Sequence, residues 1–217
     1  MLKTYIYFLI SILAFIFVTS FSQKNTEEDM IMLEYVINQN KEVNDSVVLK
    51  NNFEKLNSTS NSYLKKNIDA IYFIYLAEIY SEQFDKVNPK SNQLYAKANK
   101  IVKELENPGL LIWLHTKFGF YYYKYSEYQK AFPHFMYASR LLDTTDRSKI
   151  IQKSNVYKLN AYFFGNVGDV EKSKNYLKLA LEYTNNFDKE YGNILNGLGT
   201  LYYENKNYNN AKHYFEL

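Results

Sequence analysis

The chain has 217 residues, 47% hydrophobic and 23% charged, which is enough apolar content to bury a core and too much for a disordered segment. Its 7 glycines and 3 prolines are few for a turn-rich all-β fold, and a formal charge of +3 without a dense Lys/Arg stripe excludes a nucleic-acid footprint. The absence of cysteine excludes disulfides, thiolate metal sites, cysteine catalysis and a lipid-anchored N-terminus, while 23 tyrosines and 15 phenylalanines require a structural home.

The N-terminus reads as an export signal over residues 1–22. Lys3 supplies a charged start, Tyr5 to Val18 an apolar run, and Ser20-Phe21-Ser22 the small residues that a signal peptidase reads, leaving Gln23 as the new terminus. The run is shorter than the roughly 20 residues that a spanning helix needs. Residues 23–62 are then expected to form a helical pair and a linker. Thr26 followed by Asp29 has the pattern of a helix start, and Met30, Leu33, Val36 and Ile37 share one helical face. Asn44-Asp45-Ser46 breaks the pattern. A second helix is expected with Val47, Val48, Phe53 and Leu56 inward, followed by the polar linker Asn57-Ser58-Thr59-Ser60-Asn61-Ser62.

Beyond Tyr63 the chain repeats itself. Gly119 and Gly199 each carry a tyrosine three residues on (Tyr122, Tyr202), an alanine twelve on (Ala131, Ala211) and a phenylalanine four further (Phe135, Phe215). Ala161 opens a weaker copy through Phe164, Ser173, Leu177 and Ala180, and Ala77 with Leu76 and Tyr80 the weakest. Small residues allow two helices to approach closely, the larger ones fill the space between them, and successive pairs must stack to complete a core.

This spacing resembles the tetratricopeptide repeat, W-x2-L-G-x2-Y followed by A-x3-F. His115-x2-Phe118-Gly119-x2-Tyr122 and Leu195-x2-Leu198-Gly199-x2-Tyr202 carry the resemblance, which covers 63–217 as about four repeats. It implies an all-α, antiparallel helix-pair solenoid. The intervals Gly119 to Ala161 and Ala161 to Gly199 exceed the family's, with extensions expected at Asp143-Thr144-Thr145-Asp146 and Asn185-Asn186. Pro133 falls inside an expected second helix and should kink it. Tyr128 should begin that helix, with Ser126 and Gln129 capping it reciprocally. Asn209 to Leu217 reads as a second helix cut short, so a longer parent protein is expected.

No catalytic, cofactor or metal site emerges. His115, His134 and His213 read as lying in separate repeats without ligand-like spacing, Glu27-Glu28-Asp29 as complementing a helix dipole, and Gly165-Asn166-Val167-Gly168-Asp169 as an inter-helix turn. In the resembled family the first helices line a concave groove for a peptide or partner segment. Mapped by repeat position, the groove candidates are Trp113, Thr116, Phe120 and Tyr123, then Lys158 and Tyr162, then Asn193, Asn196 and Tyr203. Lys158 occupies a lysine position of the family's carboxylate clamp, but Tyr162 replaces the expected asparagine. These readings lead to an exported, non-catalytic scaffold in the periplasm or on the outer face of a bacterial membrane. It would bind a protein or peptide, not nucleic acid, and would touch the membrane only through an uncleaved signal or a downstream helix. Such a scaffold would suit the input domain of a histidine kinase or transcriptional regulator. A helical-repeat protein that captures glycans is the alternative.

Overall fold

The computed structural model describes residues 27–60, 62–186 and 188–217. The expected signal peptide and Thr26 lie outside them. Helix α1, residues 27–40, belongs to a compact unit that ends at Glu42. Leu33, Val36 and Ile37 are at most 1% exposed, as their spacing predicts. The buried Asn40 carboxamide donates to the Val36 carbonyl at 2.8 Å.

The second unit, Val43–Leu217, opens with α2 (Ser46–Thr59), whose first turn is capped by the Asp45 carboxylate accepting from the amides of Val47 and Val48. Val47 and Val48 are 65% and 48% exposed, whereas Leu49 and Phe53 are buried. The inward face runs 49, 53, 56; a valine in the first turn falls outside that stripe. The expected six-residue linker is mostly helix. Helix α2 continues to Thr59, α3 (Ser62–Phe84) begins almost at once, and Asn57 bonds forward to Asp69 at 2.8 Å.

Helices α4 (Pro89–Leu105), α5 (Pro108–Lys124), α6 (Tyr128–Thr144), α7 (Lys153–Asn166), α8 (Val170–Glu182), α9 (Lys189–Glu204) and α10 (Tyr208–Glu216) follow. Among the described residues there is no strand. α3 packs on α4, α5 on α6, α7 on α8 and α9 on α10, and each later first helix also meets the second helix of the pair before it. The fold is therefore all-α, a succession of helix pairs forming a helical repeat.

Three of the four turns inside the pairs share one construction. After α5, α7 and α9, a residue in the left-handed region (Ser126 at φ 62°, Gly168 at 87°, Lys206 at 59°) reverses the chain. The next amide then reaches back five residues: Glu127 to Tyr122, Asp169 to Phe164 and Asn207 to Tyr202, each at 2.9 Å. This is the 6→1 closure that satisfies an orphan helix carbonyl. Ser126 is therefore a helix C-terminal residue, not the reciprocal cap expected for α6. Glu127 occupies the start of α6 without a side-chain cap bond.

Where the two helices of a pair meet, two solutions alternate. In α3–α4 and α7–α8 a buried serine on the second helix donates to the carbonyl of the small residue on the first: Ser91 Oγ to Ala77 at 2.9 Å, Ser173 Oγ to Ala161 at 2.8 Å. In α5–α6 and α9–α10 a phenylalanine ring lies on a glycine, where an added Cβ would stand 3.0 Å from Phe135 or 2.4 Å from Phe215. Successive pairs are joined by stacked rings: Tyr95 on Phe118 (4.5 Å between centroids, 9° between planes) and Phe135 on Phe163 (4.4 Å, 15°). The longer connections lie between Thr144 and Lys153, where the 3₁₀ turn Arg147–Lys149 sits, and between Glu182 and Lys189; Asp143 and Thr144, expected in the first of them, close α6 instead. Pro133 does not end α6. It is exposed, so the carbonyl left without a helical donor can face water.

Candidate binding face

The first helices α3, α5, α7 and α9 lie in series, and their shared face gathers most of the candidate residues. α3 and α5 are tied by two ion pairs, Lys117 Nζ to Glu78 Oε1 at 2.9 Å and the more exposed Lys124 Nζ to Glu82 Oε1 at 3.9 Å. α5 and α7 are tied by amide hydrogen bonds: Asn160 Nδ2 donates to Thr116 Oγ1 at 2.9 Å, and Asn166 Nδ2 donates to the Tyr123 hydroxyl. α7 and α9 are joined by the Lys158–Glu190 ion pair and by Tyr162, whose ring edge would stand 3.4 Å from a Cβ at Gly197.

Burial sorts the nine candidates. Trp113 is 1% exposed and packs edge-on to Tyr75, while Thr116 is fully buried beneath Asn160. Both are core residues, a correction to their expected contact role. The mapping by repeat position fails there because residues at the same register on α3, Ile71 and Ile74, are also fully buried. Phe120, Tyr123, Lys158 and Tyr162 are half-buried. Phe120 and Tyr123 stack with 6.3 Å between centroids. Asn193, Asn196 and Tyr203 are exposed on α9.

Electrostatics follow burial. Desolvation, then repulsion by Lys117, lowers the Lys158 ammonium to about 8, and the Glu190 carboxylate works in the opposite sense. Burial raises the Tyr162 phenol, and burial together with Tyr128 raises that of Tyr123. Both phenols stay neutral near pH 7 and present a hydroxyl and a ring rather than a charge.

Sequence reading missed Glu78, Lys117 and Glu190. Their positions relative to each repeat's small residue differ, one after Ala77 for Glu78 and two before Gly119 for Lys117, so no periodicity marks them. It also left Tyr121 and Tyr125 without a role. Both tie α5 back to the previous pair. The buried Tyr121 hydroxyl accepts from the Asn88 amide at 2.8 Å, and the Tyr125 hydroxyl donates to the Ser81 carbonyl at 2.9 Å.

His115 and His134 do not lie in separate repeats; α5 and α6 bring their Nδ1 atoms to 3.0 Å. The Nε2 of His115 is buried without a partner. A bare acceptor costs less there than an unpaired N–H, so His115 Nδ1–H donates to the unprotonated Nδ1 of His134. Burial, then His134 and Lys103, lowers His115 to about 3, and burial lowers His134 to about 4. The pair is neutral and packed among Phe118, Tyr122 and Tyr137. Among the described residues no three His, Asp or Glu side chains form a metal-binding group, and no helix is long and apolar enough to cross a membrane. No protein-family profile matches the chain, and no curated protein matches it significantly.

Proposed function

We propose that this chain is a protein- or peptide-binding scaffold of the tetratricopeptide kind that works outside the cytoplasm, without chemistry of its own. The observation that carries this reading is the face shared by α5, α7 and α9. There Phe120, Tyr123 and Tyr162 present half-buried rings held by neighbouring helices, and Asn193, Asn196 and Tyr203 extend the surface in full exposure. Aromatic side chains fixed before binding bury large areas at low entropic cost, which is the composition of contact hot spots. Carboxamides beside them supply paired donors and acceptors for a peptide backbone.

A photo-crosslinking amino acid placed at Asn196 or Tyr203 in the full chain tests this. Capture of a protein or peptide from both positions, and not from the exposed Phe132 on the second-helix side, is the expected result. Capture from position 132 alone, or from none of the three, overturns the reading. Trp113 is unsuited to such a test, since its replacement would damage the core.

A further inference from the structure

The charges on this face follow an order by helix. α5 and α7 contain no aspartate or glutamate in their entire lengths, and both place lysines on the shared face. The carboxylates that pair with those lysines come from the helices outside them: Glu78 and Glu82 from α3, Glu190 from α9. The face therefore reads acid, base, base, acid across the four first helices. Contacts across the central α5–α7 seam come from uncharged groups, Asn160 to Thr116 and Asn166 to Tyr123. The two central lysines are poorly solvated, with side chains 19% and 13% exposed for Lys117 and Lys158. Each has its carboxylate on the outer side. Lys117 follows Thr116 and Lys158 precedes Asn160 by two residues, so the two lysines flank the Asn160–Thr116 bond of the seam; Lys117 also weakens the hold of Lys158 on its proton, and neither seam helix supplies a counter-charge.

We propose that the face selects an extended peptide segment whose charges run basic, acidic, basic, with its central Asp or Glu side chains seated between Lys117 and Lys158 and its basic ends toward Glu78 and Glu190. A carboxylate at the seam relieves the repulsion between two partly desolvated ammonium groups, where charge-assisted hydrogen bonds are strongest. A lysine or arginine at the seam would meet two like charges, and this repulsive element excludes the reversed order. The proposal rests on the scaffold reading and specifies its ligand chemistry.

Three fluorescein-labelled synthetic peptides of equal length test it by anisotropy on the full chain: one acid-centred with basic ends, one of identical composition with the order reversed, and one neutral. The acid-centred peptide should bind about tenfold or more tighter than the reversed one, and the difference should shrink as salt rises. Lys117→Gln with Lys158→Gln should abolish the difference. Because these changes leave carboxylates unpaired, Lys158→Gln with Glu190→Gln serves as a second variant that removes one pair as a unit, and it should reduce the difference in the same direction. Equal affinity for the two charged peptides, or a preference that survives in both variants, overturns the charge order. If no peptide binds while crosslinkers at positions 196 and 203 still capture a partner, the charge order is wrong and the scaffold stands. Loss of that capture as well removes both.

Discussion

The α5–α6 and α9–α10 pairs carry the same motif, glycine followed by tyrosine, alanine and phenylalanine at equal intervals, yet their equivalent residues live in different surroundings. Phe135 is fully buried between Gly119 and Phe163, whereas Phe215 rests on Gly199 and is 51% exposed. Trp113 is in the core, and its counterpart Asn193 is in solvent; Tyr123 is half-buried, and its counterpart Tyr203 is 60% exposed. The motif dictates how two helices of a pair meet. Whether the outer faces of that pair are core or surface depends on what packs against them.

The largest expected effect contrasts the cores of the two pairs. Trp113→Ala and Phe135→Ala should each cost about 3–5 kcal/mol, the range for truncating a buried large aromatic, while Asn193→Ala and Phe215→Ala should cost under about 1 kcal/mol, as surface changes do. Urea unfolding of the four variants measures the difference. Comparable losses for Phe135→Ala and Phe215→Ala would mean that the two pairs are buried alike.

Next in size is the histidine pair, which only α5–α6 has. Both imidazoles hold their protons less tightly in the fold than the ordinary value of 6.5, so the unfolded chain binds more protons below that value. Their contribution is complete above about pH 6.5 and is lost as the pH falls toward 4, because protonation sets two N–H donors face to face. The loss should reach on the order of 3 kcal/mol for each imidazole at pH 4. His115→Phe with His134→Leu should flatten the fall in urea midpoint between pH 6.5 and 4.5, and NMR of the wild type should find two imidazoles titrating well below 6. Ordinary titration near 6.5 would show that the pair is open.

The smallest effect is the sharpest. A Cβ at Gly199 would stand closer to Phe215 (2.4 Å) than one at Gly119 to Phe135 (3.0 Å), yet Gly119→Ala should be the costlier change. Phe215 is half in solvent and can rotate away, and the gain in helix propensity of about 1 kcal/mol then makes Gly199→Ala near neutral or stabilising. Phe135 is locked against Phe163, so Gly119→Ala should lose about 1–2 kcal/mol from overpacking despite the same gain. Thermal melts of the two variants decide this; a larger loss at Gly199 would mean that the Phe215 ring is fixed.

Much of the fold was legible in the residues. Small residues at 77, 119, 161 and 199 and their partners at 131, 173 and 211 mark helix approaches because a Cβ or its absence limits how near two backbones come, a local constraint that repeats with the motif. The turns were legible in position but not in mechanism: Ser126 and Lys206 adopt the left-handed conformation that composition assigns most readily to glycine, as at Gly168. Of the proposed binding face, the register picked out Phe120, Tyr123, Lys158 and Tyr162, which are half-buried, but also took in the buried Trp113 and Thr116, since neighbours that bury a position leave no trace in its own repeat.

The sequence by itself determined the helix pairs, their order and their close-approach points, because those depend on residues within a few turns of one another. Only the tertiary structure decided which tyrosines are bolts and which are surface, how His115 meets His134, and how carboxylates of α3 and α9 come to flank the lysines of α5 and α7. Each of those depends on side chains about 19 to 44 residues apart, whose meeting is set by the stacking of whole pairs rather than by any local pattern.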